Sequence, residues 1–318
     1  MNHPAIRTTF EPVESALRQA RHVLVVVHED PDVDAAGSAL AFSMVLAGRG
    51  IQSTVWLPDA QAGSLGFLPG FDCVAGQQPQ ATFDLVAFLD CAEWARTPGH
   101  AFIHELKLPI LNIDHHPDNS AFGHFNWILP QLSSTGEMLY QWLAASGDAI
   151  SADIATCLLA AISFDTGRFL YSNTTADTLA AAADLMSRGA DHARIMEGLY
   201  EQKPIEALNW IKVGLDHLVV DWSLKYAYTV LPGCPASMGR DVIDFVRTLT
   251  GIEVFLVFRE NDGKIKVNVR SKSIVDVSAF AHQFGGGGHV RASGISLSGD
   301  LGQSVATVIG ALRRYLQP

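Results

Sequence analysis

The sequence has no uninterrupted apolar run of about eighteen residues, although 48% of its 318 residues are hydrophobic. A helix that crosses a bilayer needs about twenty such residues, so we expect a globular protein with no membrane partner. The first residues also lack a basic segment followed by an apolar core, the pattern of a secretion signal. These absences together predict a cytoplasmic protein.

Cysteine is scarce, and none of the four cysteines forms a Cys-x-x-Cys pair. They are Cys73, Cys91, Cys157 and Cys234. This spacing argues against a structural zinc site and against a disulfide framework.

Basic residues are also few: 22 Lys and Arg stand against 33 Asp and Glu, giving a net charge of -11. Proteins that bind long nucleic acids through the phosphates usually carry a basic surface. The acidic balance therefore argues against binding of long duplexes. It remains compatible with a small phosphorylated substrate bound through metal ions.

The length predicts two domains, because single hydrophobic cores stop growing near about 250–300 residues. We predict a first domain over residues 1–190, a linker over 191–206 and a second domain over 207–318. In the first, short apolar runs alternate with helical patterns, as in the βαβ units of a parallel sheet. The second has the pattern of a smaller mixed α/β domain, including a hairpin turn at residues 261–264.

Several predicted strands and one predicted helix of the first domain end in polar residues that could bind a metal. They are His28, Asp32, Asp34, Asp90, Asp114, His115, His116 and Asp165. Because the carboxyl ends of parallel strands meet at one edge of the sheet, we expect these side chains to lie together. Carboxylates and imidazoles without thiolates suit a Mn²⁺-type ion better than Mg²⁺, which rarely takes histidine. Taken singly, each aspartate is more often a turn residue or a helix cap.

The second domain contains candidate contacts for a phosphorylated substrate. Arg270 ends a predicted strand and Lys272 follows it, and a guanidinium group suits a terminal phosphate. The N–H groups of Gly286, Gly287 and Gly288, next to His289, could form an anion-binding nest. A flexible glycine loop is the alternative interpretation.

These motifs resemble those of the DHH phosphoesterase superfamily. The matching residues are His28-x-x-x-Asp32-x-Asp34, Asp90 after a strand, Asp114-His115-His116, and Asp165 in Asp-Thr-Gly-x-Phe. The Gly-Gly-Gly-Gly-His run resembles the signature of the DHH-associated C-terminal domain. The resemblance implies an α/β fold: an N-terminal parallel-sheet domain, a smaller C-terminal mixed α/β domain, and an active site in the cleft between them. The most similar subgroup is that of bacterial oligoribonucleases (nanoRNases) that are also 3′-phosphoadenosine 5′-phosphate phosphatases.

The resemblance also implies a role for each matched residue. Two Mn²⁺ ions, with Mg²⁺ or Co²⁺ as substitutes, would be bound by His28, Asp32 and Asp90, and by Asp34, Asp90, His115 and Asp165. Asp90 would bridge the two ions. His116 and Arg270 would stabilise charge on the phosphoryl group, and Asp114 would orient an imidazole. The sequence departs from the family pattern at Val33, where glycine is common, and a β-branched residue there restricts the turn.

The implied reaction is in-line attack by a bridging hydroxide on a phosphodiester or phosphomonoester. The implied substrates are short oligoribonucleotides, linear dinucleotides and 3′-phosphoadenosine 5′-phosphate, and a homodimer is expected. Two alternatives stay open. One is another hydrolase of the superfamily, such as an inorganic pyrophosphatase or an exonuclease of long strands, and the other is a nucleotide sensor without activity.

Overall fold

The computed structural model describes residues 10–58, 62–97, 99–261 and 263–317, and the chain divides into two compact units, Met1–Gln202 and Lys203–Pro318. The first nine residues, used in the secretion-signal argument, and Asp262 of the predicted hairpin lie outside the described residues. Within the described ranges, no helix is both long enough and apolar enough to cross a membrane.

The first unit contains a parallel five-stranded sheet with the strand order β2-β1-β3-β4-β5. Its strands are β1 (His22–Val26), β2 (Gln52–Trp56), β3 (Leu85–Leu89), β4 (Ile110–Asp114) and β5 (Phe125–Ile128). Its helices are α1 (Glu11–Leu17), α2 (Val33–Gly48), α3 (Ala62–Leu65), α4 (His100–Leu106), α5 (Thr135–Ser146), α6 (Ala152–Asp165), α7 (Ala176–Ser187) and α8 (His192–Met196). Every residue of β3 is buried, as expected for a strand covered on both faces.

Two glycines allow three helices of the first unit to approach closely. A Cβ atom on Gly37 of α2 would lie 2.7 Å from the carbonyl oxygen of Cys157 in α6. A Cβ atom on Gly136 of α5 would lie 2.5 Å from the Cβ of Ala161 in α6. The three helices therefore pack with backbones in near contact. This packing brings the first turns of α2 and α5 to the last residue of α6, Asp165.

Val33 is the first residue of α2 and has a buried side chain in the hydrophobic core. Asp32 caps the helix, since its Oδ1 accepts hydrogen bonds from the N–H groups of Asp34 and Ala35 at 3.1 Å. The backbone at Val33 is thus helical, a conformation that a β-branched residue adopts at only a small cost in helix propensity. The departure from glycine at this position is compatible with the local structure.

The sequence analysis did not predict four elements of this unit, which are α1, α3, α4 and β5. The segment 191–206, predicted as a linker, contains α8 and a single turn of π-helix at Glu197–Glu201. This segment stays with the first unit as far as Gln202. Its helical turns bury Ile195 fully and Leu199 almost fully. The segment thus contributes two residues to the core although its sequence has little apolar periodicity.

The second unit contains a mixed six-stranded sheet with the order β10-β11-β9-β8-β7-β6. Its strands are β6 (Val219–Asp221), β7 (Tyr226–Pro232), β8 (Val254–Asn261), β9 (Lys264–Ser271), β10 (Gly287–His289) and β11 (Ala292–Ser298). Its helices are α9 (Ile205–Asp216), α10 (Ala236–Val246), α11 (Val277–His282) and α12 (Leu301–Leu316). β7 and β8 pair in parallel, and the other neighbours pair antiparallel. Helices α11 and α12 cover one face of the sheet, and α9 and α10 cover part of the other.

Arg49 joins three parts of the first unit at the end of α2. Its guanidinium donates to the carboxylates of Glu14 in α1 and Asp148 after α5, and lies 4.6 Å from the ring centre of Trp142. Burial alone would raise the pKa of Glu14, but hydrogen bonds from Arg49 and Trp142 leave it lowered. The hydrogen bond from Arg49 also lowers the pKa of Asp148.

We expect Arg49→Met to lower the free energy of unfolding by about 1–2 kcal/mol at pH 7, because two carboxylates lose a shared charged donor. Both carboxyls have lowered pKa values in the folded state. The difference in unfolding free energy between the two chains should therefore have its full size at pH values above the ordinary pKa values of 4.5 and 3.8. It should shrink as the pH falls below them. Urea unfolding at several pH values measures this. Arg18→Met is the matched control, since Arg18 and its partner Glu11 are exposed; an equal effect of both variants would contradict the prediction.

Candidate active site

The predicted metal-binding residues of the first unit meet at the carboxyl edge of its sheet. His28 follows β1, Asp90 follows β3, and Asp114 ends β4. Asp90 has a left-handed backbone conformation with φ of 55°, which is uncommon for a residue other than glycine and is often found at functional sites. Its N–H donates to the carbonyl of Ile113 at 3.0 Å, which fixes Asp90 against β4.

Asp90 belongs to three groups of potential ligands, one of which is completed by Asp114 and His116. Ligand atoms of His28, Asp32 and Asp90 all lie within 4.8 Å of one another. Ligand atoms of Asp34, Asp90 and His115 do so as well. The carboxylate of Asp90 therefore lies between two sets of donors.

The ring nitrogen Nε2 of His115 faces three carboxylates. It lies 3.1 Å from Oδ2 of Asp165, 3.4 Å from Oδ1 of Asp90 and 3.6 Å from Oδ2 of Asp34. The other ring nitrogen, Nδ1, lies 3.3 Å from the carbonyl oxygen of Leu132. A hydrogen bond from Nδ1–H to a carbonyl leaves Nε2 as the atom that binds a metal.

Asp34 is fully buried and is fixed by the start of α5. Its carboxylate accepts hydrogen bonds from the N–H groups of Thr135 at 2.8 Å and Gly136 at 2.9 Å, and from the hydroxyl of Ser38 at 3.1 Å. The hydroxyl of Thr135 also donates to Asp90 at 3.1 Å. The sequence analysis did not single out Thr135 and Gly136, which directly follow Ser134, the cap of α5. Their position at a helix N-terminus, which favours anions, was the signal that could have found them.

His116 is held by a chain of side chains behind it. Its Nδ1 donates to Oδ1 of Asp114 at 2.7 Å, and Asp114 is fully buried. The amide of Asn119 donates to Oδ2 of Asp114, and also to Asn112 and to the carbonyl of Cys91. Asp114 thus orients the imidazole of His116, and Asn119 is a positioning residue that the sequence analysis did not identify.

The burial of so many charges shifts pKa values in opposite directions. Burial, followed by the nearby charges of Asp90 and Asp165, raises the pKa of Asp34 well above its ordinary value. Burial would raise the pKa of Asp90 too, but His115, His116 and His28 lower it far below its usual range. Burial would lower the pKa of His115, yet Asp165 and Asp90 raise it well above its usual value. Negative charge at this site therefore depends on cationic partners.

The residues present fit a divalent metal centre. Buried carboxylates close to one another are unfavourable without a compensating cation. The donor set is made of carboxylate oxygens and imidazole nitrogens, and it contains no thiolate. This combination fits a divalent ion bound by oxygen and nitrogen and differs from a zinc site built from cysteines.

The predicted substrate residues of the second unit lie at the end of its sheet. Arg270 is on β9 beside Ala292 of β11, and Ala292 pairs with His289 of β10. The ammonium group of Lys272 donates to the carbonyl of Leu249 at 2.6 Å and lies over the ring of Phe255. Arg270 and His289 thus lie on the same face of the sheet. The ammonium group of Lys272, in contrast, already has partners within the second unit.

The glycine run forms part of a strand and not an isolated loop. Gly287 and Gly288 belong to β10 and pair with Gly294 and Ser293. A Cβ on Gly286 would lie 2.2 Å from the carbonyl oxygen of Gly294, and one on Gly288 would lie 2.7 Å from that of Ala292. The close approach of β11 is the structural reason for these two glycines.

Comparison with known proteins adds an independent observation. The model of the DHH family, N-terminal domain, matches residues 22–162, and the model of the DHHA1 domain matches residues 223–317. The chain belongs to the DHH family. It is a phosphoesterase. Its α/β fold agrees with the sequence prediction.

The chain resembles two proteins named bifunctional oligoribonuclease and PAP phosphatase NrnA. It is 32% identical to the protein of Thermus thermophilus over 310 residues, which cover 92% of this chain and 90% of that protein. It is 30% identical to the protein of Bacillus subtilis over 282 residues, covering 85% and 87%. Among solved structures, an exopolyphosphatase-related protein from Bacteroides fragilis matches with a TM-score of 0.86 at 22% identity, covering 98% of this chain and 97% of that one. That likeness shows the shared fold.

We expect saturating Mn²⁺ to raise the unfolding temperature by several degrees, because a ligand at one hundred times its Kd contributes about 2.7 kcal/mol. Asp90→Asn should lose most of this gain, since Asp90 belongs to both donor groups. Differential scanning fluorimetry with Mn²⁺ and with chelator measures the shift. Asp177→Asn, at an exposed position in α7, is the control and should keep it. An equal gain in both variants would show that Mn²⁺ acts elsewhere.

Proposed function

We propose that this phosphoesterase hydrolyses short oligoribonucleotides, linear dinucleotides and 3′-phosphoadenosine 5′-phosphate with two Mn²⁺ ions. The observation that carries the proposal is the carboxylate of Asp90 shared by two groups of donors. The names of the relatives in Thermus thermophilus and Bacillus subtilis support the substrate class.

The proposed ligands divide into two sets around Asp90. His28, Asp32 and Asp90 would hold one ion, and Asp34, Asp90, His115 and Asp165 would hold the other. When bound, such a pair of ions lowers the pKa of the attacking water and neutralises charge on the phosphoryl oxygens. The residues fix these ligands in advance: Thr135 and Gly136 bind Asp34, and the carbonyl of Leu132 orients His115.

We assign His116 to the phosphoryl group and not to a metal. Asp114 accepts from Nδ1 of His116 and raises its pKa, against the opposing effect of burial. The imidazole is therefore cationic over a wider pH range, and a cationic imidazole donates from both ring nitrogens. A fixed donor beside a phosphoryl oxygen stabilises the charge that develops there during attack.

In the second unit, Arg270 and His289 would bind the terminal phosphate of the substrate. A guanidinium group makes paired hydrogen bonds to phosphate oxygens, and a neighbouring imidazole adds a further donor. Gly286, Gly287 and Gly288 would contribute backbone N–H groups, and Lys272 a positive charge. The cytoplasmic location and the homodimer remain predictions.

The alternative of a sensor without activity is disfavoured by the complete set of donors around Asp90. The alternative of a long-strand exonuclease gains little from fold likeness. A solved RecJ of Thermus thermophilus matches with a TM-score of 0.55 at 16% identity, and this chain covers 55% of it. The alternative of an inorganic pyrophosphatase is tested by the hydrolysis experiment below.

We expect Asp90→Asn to lower kcat/KM on a dinucleotide and on 3′-phosphoadenosine 5′-phosphate by at least ~10³-fold, because it removes a ligand of both ions. His116→Gln should lower kcat by ~10²-fold with little change in KM, since it removes a transition-state donor. Hydrolysis of both substrates and of pyrophosphate with Mn²⁺, followed by chromatography, measures this. Asp177→Asn is again the control. Cleavage of pyrophosphate alone would refute the substrate assignment and keep the metal centre.

A further inference from the structure

One segment of the first unit, residues 132–136, orients three of the four ligands proposed for one metal ion, which we call the second ion. The carbonyl of Leu132 accepts from the ring of one ligand at 3.3 Å. The N–H groups of Thr135 and Gly136 donate to another at 2.8 and 2.9 Å, and the hydroxyl of Thr135 donates to a third at 3.1 Å. These ligands are, in the same order, His115, Asp34 and Asp90. Residues 132–136, hereafter the ligand segment, therefore fix most of this ion's site.

Ser133, in the middle of the ligand segment, is held by a buried carboxylate. One oxygen of Glu137, Oε2, accepts three hydrogen bonds: from the N–H of Ser133 at 3.0 Å, from the hydroxyl of Ser133, and from the hydroxyl of Thr178 at 3.0 Å. Glu137 and Ser133 are each 1% exposed. A buried carboxylate is costly unless hydrogen-bond donors surround it, so its position is strongly constrained. Glu137 therefore joins the ligand segment to the first turn of α7, which contains Thr178.

Asn173 joins the same serine to the fourth ligand. Its side-chain amide donates to the carbonyl of Ser133 and to the carbonyl of Asp165, each at 3.1 Å. Asp165 ends α6, and the chain then continues through three consecutive residues with left-handed φ, which are Gly167, Arg168 and Phe169. This conformation is unfavourable for residues other than glycine and persists only where other contacts hold it. Asn173 thus fixes the end of α6 relative to the ligand segment.

The ligands of the other proposed ion, the first ion, are oriented from a different part of the unit. Oδ1 of Asp32 accepts from two N–H groups in the first turn of α2. Nδ1 of His28 donates to the carbonyl of Glu29 in its own loop. Asp90 is the member common to the two proposed sets. A displacement of the ligand segment should therefore change the site of the second ion more than that of the first.

We propose that Glu137 and Asn173 are positioning residues for the second ion and not for the first. Both act through Ser133, and together they hold the ligands of the second ion close to one another before the ion binds. Removing a group that orients a metal ligand typically weakens metal binding by about 10–100-fold. The inference rests on the proposed function, from which it takes the two sets of ligands. It adds that the two ions have separate supports in the fold.

The test is titration of the metal-free full chain with Mn²⁺, in which electron paramagnetic resonance counts the free ion. We expect the wild-type chain to bind two ions. Asn173→Ala and Glu137→Leu should weaken one binding step by ~10-fold or more and leave the other within about threefold. Glu137→Gln should keep both steps within about threefold, because its amide oxygen can accept the hydrogen bonds from Ser133.

The control is Asn209→Ala, which removes the same side chain from an exposed position on α9 and should change neither step. Asn173 is exposed as well, so its variant decides the question if the Glu137→Leu chain does not fold. Two unchanged binding steps in the Asn173→Ala chain, or equal weakening of both steps, would overturn the inference. A purely structural role predicts that equal weakening.

Two ligand variants show which ion is affected. His28→Ala removes a ligand of the first ion, and Asp165→Asn removes a ligand of the second. Adding Asn173→Ala to the His28→Ala chain should weaken the remaining tight step by ~10-fold or more. Adding it to the Asp165→Asn chain should change that step by less than about twofold, since the lost support and the lost ligand belong to the same site. Equal effects in the two chains would contradict the proposal.

Hydrolysis by the wild-type chain separates this inference from the proposed function. Dinucleotide and 3′-phosphoadenosine 5′-phosphate are the substrates, with Mn²⁺ present. Selective loss of one Mn²⁺ step in the variants, with no hydrolysis by the wild-type chain, would support the inference and contradict the proposed function. Hydrolysis by the wild-type chain with unchanged Mn²⁺ binding in the variants would do the reverse. A wild-type chain that binds a single Mn²⁺ ion would overturn both.

Discussion

The arrangement of the first unit depends on the burial of carboxylates around one imidazole. Asp34 and Asp90 are almost completely inaccessible to water, and Asp165 lies 3.1 Å from Nε2 of His115. Such a concentration of negative charge is costly unless cations and hydrogen-bond donors compensate it. The fold supplies donors from the first turn of α5 and imidazoles from the ends of β1 and β4. The remaining charge is what a divalent metal neutralises.

Much of this site could be predicted from sequence because its candidate ligands lie at the end of an apolar strand or at one end of a helix. Parallel strands necessarily bring their carboxyl ends to one edge, so Asp90 and His115 had to lie near each other. The roles of Thr135, Gly136 and Asn119 were not predicted, since they act through backbone N–H groups or behind the ligands. Their partners depend on how α5 and the loop after β4 pack, and a single sequence does not encode that packing as a local pattern.

Two elements that were not predicted, α1 and β10, also depend on contacts with distant parts of the chain. α1 is only seven residues long and has a proline in its first turn, and its stability draws on Arg49 and Trp142, far away in sequence. β10 consists of two glycines and a histidine, a composition that favours a loop. It becomes a strand because β11 approaches so closely that glycine is required. In both cases tertiary contacts override local propensity.

Electron paramagnetic resonance tests most directly whether Asp90 would join two metal ions in one centre. With two equivalents of Mn²⁺, we predict the multiline spectrum of an exchange-coupled pair for the wild-type chain. The Asp90→Asn chain should give the six-line spectrum of isolated ions. A six-line spectrum from the wild-type chain at two equivalents would contradict the shared centre.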